Sequence, residues 1–112
     1  MTDELSWYGV RCLFQLGGPD PEGTSYEERV TIWQAASFDD AIAEAEAEAA
    51  AYAGDRGETG NEYLGLLQVF AMFDGPGHGA EVFSLIRDSD LAADEYLDRF
   101  LDTGRERQNV IE

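Results

Sequence analysis

The sequence predicts a single α+β domain of order β-β-α-β-β-α, a mostly antiparallel four-stranded sheet packed by two helices. Three observations predict it. Apolar residues alternate with period two up to residue 35, switch to a helical period after Ser37, and repeat that switch later in the chain. Glycine- and proline-bearing clusters at residues 17–23 and 74–79 punctuate the pattern. A length of 112 residues fits one domain and no more.

The first strand covers residues 7–16. Tyr8, Val10, Cys12, Phe14 and Leu16 share one face, while Trp7, Arg11 and Gln15 take the other. The breaker cluster that follows implies a long-looped hairpin to a second strand at about 26–35. There Val30 and Ile32 share one face, and Arg29, Thr31 and Trp33 the other. Ser37 is an N-cap candidate, with Asp40 three residues on. Phe38, Ile42, Ala45, Ala49 and Tyr52 then form a thin apolar stripe, and the helix is expected to end near Gly54.

Residues 55–61 read as a loop, and 63–73 as a third strand, apolar on both faces and therefore central. A turn at 74–79 leads to a fourth strand at 81–87, paired with the third. A second helix is expected from Ser89 or Asp90, with Ala93, Tyr96, Leu97, Phe100 and Leu101 as its stripe and Gly104 as its C-cap. Residues 1–104 make the domain and 105–112 a frayed tail. A third strand of this kind needs cover on its second face, supplied by helices on both sides of the sheet or by another subunit.

Hydrophobic content of 44% supports a folded globule, and a chain of this length is expected to bury roughly two-thirds of its unfolded surface. Charge is the outstanding feature: 24 acidic residues against 7 basic ones give −17. Every basic residue is an arginine, an alanine-rich, lysine-free usage that suggests a bacterial source. Such a field disfavours nucleic acid and anionic membrane surfaces, and attracts a basic protein. The acidity also serves solubility alone. One cysteine, an acidic N-terminus without signal-peptide features, and no apolar run long enough to span a bilayer point to the cytoplasm.

No cofactor or metal is expected. His78, with Asp74 and Glu81 nearby, is a weak ligand set for zinc and reads as a turn residue. Cys12 lies on the apolar register and reads as a small buried hydrophobe, so no catalytic residue is assigned. Glu27, Glu28 and Arg29 suggest a cross-strand ion-pair ladder. Alternatively, Trp7, Arg11, Arg29 and Trp33 line a sheet-face site for a small ligand, or for self-association. The acids Asp40, Glu44 and Glu48 repeat at i, i+4 on the first helix, as do Asp90, Asp94, Asp98 and Asp102 on the second. Like-charge pairs at this spacing destabilise a helix by about 0.2–0.5 kcal/mol each, so a stability rationale is missing.

The segments Trp7-Tyr8-Gly9-Val10-Arg11-Cys12-Leu13-Phe14, Tyr26-Glu27-Glu28-Arg29-Val30, Asp39-Asp40-Ala41 after Ala36-Ser37, Tyr63-Leu64-Gly65 and Glu81-Val82-Phe83-Ser84 occur in a characteristic order. In that order they resemble the small bacterial family of domain of unknown function 4288, over residues 7–88. Asp39 and Asp40 stand where that family usually has glutamate, and Gly9 where it has a small hydroxyl or alanine. The resemblance implies a single fold and carries no activity.

The resulting expectation is a non-enzymatic binding module, immunity- or antitoxin-like, whose acidic helices dock a basic protein. The alternatives are a ligand-binding or enzymatic domain using the Trp/Arg face, or a self-associating module in which dimer and monomer stand equal.

Overall fold

A computed structural model describes residues 4–20, 23–55 and 60–108. Strands β1 (Ser6–Asp20) and β2 (Gly23–Ala35) form an antiparallel hairpin. Strand β3 (Glu62–Met72) pairs antiparallel with the other edge of β1, so the order is β2-β1-β3. Helix α1 (Phe38–Ala53) connects β2 to β3 and packs on one face of the sheet. A four-residue helix, α2 (Ala93–Tyr96), runs into a π-helical turn at Leu97–Leu101.

The core follows from two periodicities meeting. Tyr8, Val10, Cys12 and Phe14 are buried at every second position of β1. Ala41, Ala45, Ala49 and Ala53 are buried at every fourth position of α1. Small side chains let the helix lie close to the strands, and the larger Trp33, Val69 and Tyr63 fill the flanks. Phe38 and Tyr52 border this stripe, Phe38 meeting Tyr8 at a tilt and Tyr52 meeting Phe14 edge-on, with ring centroids 4.8 and 5.2 Å apart. Ser37 caps α1, its Oγ accepting from the Asp40 N–H at 3.1 Å, and Gly54 ends the helix at φ +74°.

Several expectations are corrected. The hairpin ladder does not stop at Gly17; it shifts register after Leu16 and resumes with Asp20 opposite Gly23. The tip, residues 21–22, lies outside the described residues, as do 56–59 of the expected loop and 109–112 of the expected tail. The central strand is β1 and not β3. Residues 81–87 form no strand, so the described sheet has three strands, and the order β-β-α-β-β-α does not hold. The second helix does not run from 89 to 104; it is one helical turn widened into a π turn.

The sheet and helix failures have physical reasons. Leu64 and Leu67 have no partner in β1, so β3 carries two bulges, and Gly65 sits between them at φ +138°. Bulges bend an edge strand and spoil its outer edge for further pairing. The turn after Met72 then carries the chain over the second sheet face instead of beside β3. A Cβ on Gly9 would meet the Phe70 ring and, at 2.8 Å, the Val82 carbonyl oxygen. The second helix has Asp98 and Asp102 at its C-terminal end, where the dipole favours cations. Its stripe residues are exposed apart from half-buried Tyr96, so packing does not offset the cost of nucleation.

Burial stops with the sheet. Among the described residues, none after Met72 is buried. The accessible surface is 8525 Å², about half of the ~18,000 Å² of the unfolded chain, and so short of the two-thirds expected from length.

Candidate functional site

The sheet register decides which side chains meet. Directly opposed residues of antiparallel strands share a face. Tyr8 opposes Trp33 and Cys12 opposes Arg29, so Trp33 and Arg29 lie under α1 with the core. Trp7 opposes Gln34 and Arg11 opposes Val30, on the second face. The four residues expected to line one sheet-face site are therefore split two and two.

Beneath α1, Arg29 is held by two groups, Glu48 and Tyr52. Its guanidinium donates to both carboxylate oxygens of Glu48, at 2.6 and 3.1 Å. It stacks over the Tyr52 ring at 3.7 Å, and the Tyr52 hydroxyl donates to Glu27 at 2.8 Å. The bond to Glu48 raises the Arg29 pKa further, and the bond to Glu27 raises that of Tyr52. A bidentate fork with a stacked ring fixes where α1 sits along β2. A second link lies nearer the core: the Tyr63 hydroxyl donates to Glu46 at 2.8 Å and lies 3.6 Å from the Cys12 sulfur. Burial pushes both the Cys12 thiol and the Tyr63 hydroxyl up from their ordinary values, so both stay protonated at neutral pH. Trp33 donates its indole N–H to Thr31 at 2.7 Å.

These contacts remove Glu48 from the first expected acid ladder, and the short second helix breaks up the other. Glu48 is turned to Arg29, whereas Asp40 and Glu44 are exposed on α1. Asp90 precedes α2, Asp94 lies within it, Asp98 is in the π turn and Asp102 ends that turn; all four are exposed. They are not a continuous stripe on one helix. Neither Glu46 nor Tyr63 was expected to act together, and Tyr52 was read as stripe. The available signal was the i, i+4 spacing of Glu48 and Tyr52 opposite a strand bearing Glu27 and Arg29.

On the second face Arg11 pairs with Glu28 across the hairpin, and its guanidinium lies 5.4 Å from the centre of the Phe83 ring. Phe83 in turn meets Phe70 edge-on at 5.7 Å. Val30 and Ile32 remain exposed on this side. A groove of about 720 Å³ opens between the start of β2 and residues 103–108. Arg107 donates to Ser25 across it, and Glu106 accepts from the Thr103 N–H and hydroxyl, which holds its carboxyl down at about 2. His78, Asp74 and Glu81 are all exposed, and among the described residues no three His, Cys, Asp or Glu side chains gather as a metal site.

Comparison of the chain with protein-family models, with curated proteins and with solved structures finds no match. Among the described residues, no helix is long and apolar enough to cross a membrane.

Proposed function

We propose that the chain is a non-enzymatic protein-binding module of the cytoplasm, docking a basic partner in the manner of an immunity or antitoxin protein. The carrying observation is where the acids sit. Asp40, Glu44, Asp90, Asp94, Asp98 and Asp102 are all exposed on a chain of net charge −17. By contrast, exposed Glu46 and half-buried Glu48 are taken up by hydrogen bonds to Tyr63 and Arg29. The exposed set gives the surface a strong negative potential, which speeds encounter with a cationic protein and weakens with salt. The resemblance to the domain of unknown function 4288 family is part of this proposal and brings no activity to it.

Capture from a bacterial lysate tests the reading with three baits: the tagged chain, Asp40→Arg with Glu44→Arg, and Asp94→Arg with Asp98→Arg. A basic protein is expected on the unaltered bait at low salt, released at high salt, and lost from at least one reversed bait. The same partner on all three baits, at both salts, contradicts it.

A further inference from the structure

The chain exposes more surface than a compact monomer of its mass. A compact protein of 12.4 kDa exposes about 6,100 Å², whereas this chain exposes 8525 Å², an excess of about 2,400 Å². Its radius of gyration is 16.6 Å, against about 13 Å for a compact chain of this length. Much of that surface is apolar and lies beyond the sheet: Phe73 is 96% exposed and Ile86 92%, with Leu85, Leu101 and Val82 about half exposed. Two copies that each removed the excess would bury about 4,800 Å² together, within the range of obligate homodimers.

Residues 81–87 show what would cover it. The segment has the composition of a strand, yet among the described residues no backbone hydrogen bond joins it to the sheet. It reads Glu81-Val82-Phe83-Ser84-Leu85-Ile86-Arg87, an acid at one end, a base at the other and an apolar middle. Laid antiparallel on a second copy about Ser84, it is complementary to itself. Glu81 then opposes Arg87, Val82 opposes Ile86, and Phe83 opposes Leu85. Within its own chain the Arg87 guanidinium donates to the Tyr96 hydroxyl at 2.9 Å and lies over the Phe100 ring. Opposite charges and paired apolar side chains are what stabilise antiparallel neighbours. A two-fold axis repeats each pair, as an isologous contact requires.

We infer that the chain forms a two-fold dimer in which residues 81–87 of the two copies pair antiparallel about Ser84. The occupant of the open surface is a second copy of this chain. The pairing gives the segment's backbone a strand partner, and brings Val82 and Ile86 of each copy together. It also keeps the acids of α1 on the far side of each sheet. The inference is independent of any basic partner.

The charge pairs make the test. Light scattering on the full chain at micromolar concentration is expected to give twice the 12.4 kDa of one chain. Arg87→Glu and Glu81→Arg, each placing like charges opposite one another at both ends, weaken the dimer about tenfold or more. The exchange of both, Glu81→Arg with Arg87→Glu, restores it. Equal mixing of the two single variants gives a heterodimer, because every mixed pair then joins unlike charges. A monomeric wild type, a dimer indifferent to the single variants, or single variants that form no heterodimer overturns the inference.

Discussion

Buried Cys12 and half-buried Tyr63 form a pair of weak acids whose protons the fold retains. Burial raises both pKa values, and the contact with Glu46 adds to the effect on Tyr63. A folded-state pKa above the unfolded value means that the associated stability is complete at low pH and is lost as pH rises. The loss begins near 9 for Cys12 and near 10 for Tyr63, their ordinary values. The urea midpoint is therefore expected to hold steady through neutral pH and fall above 9, and Tyr63→Phe is expected to flatten that fall. A midpoint unchanged up to pH 11 would contradict the retention of these two protons by the fold. The place of Cys12 was legible from period two alone. Its neighbour Tyr63 was not, because the contact spans 51 residues and depends on how β3 is registered.

Elements were legible where local signals agreed. Period two gave β1 and β2, while Ser37 and Gly54 bracketed α1 where the helix begins and ends. The alanine stripe was misplaced by one position at its ends, because Phe38 and Tyr52 serve as borders while Ala41 and Ala53 are buried. Local signals failed beyond Met72. Residues 81–87 look like a strand in sequence, but a strand needs an edge, and the bulges at Leu64 and Leu67 remove it. Gly9 shows how close the displaced segment comes. Gly9→Ala is expected to lower stability by about 1–3 kcal/mol in urea unfolding, since a Cβ must push aside both Phe70 and the Val82 backbone. A neutral Gly9→Ala would mean that residues 80–83 do not rest on this face. The expected Trp/Arg site failed for a related reason. Cross-strand register, which a one-residue slip reverses, put Trp7 and Arg11 on one side and Arg29 and Trp33 on the other.

At the scale of the whole molecule, one face of the sheet is closed by α1 and the other is covered thinly by the chain after Met72. The doubly apolar character of β3 signalled this need for a second cover. Its source was not legible, since a segment and a second copy satisfy the same pattern. The net charge was legible directly, yet its division between acids held by a partner and acids left without one emerged only from the contacts of Arg29 and Tyr63. In the dimer proposed above, the open surface of the chain is completed by another copy of itself along residues 81–87. Amide hydrogen exchange of that segment, followed as protein concentration is raised, tests this most directly. Alternating amides between Val82 and Ile86 are expected to become protected as dimer forms, while those of the 74–79 turn stay fast. Exchange of residues 81–87 at the rate of an unstructured chain, at every concentration, would contradict it.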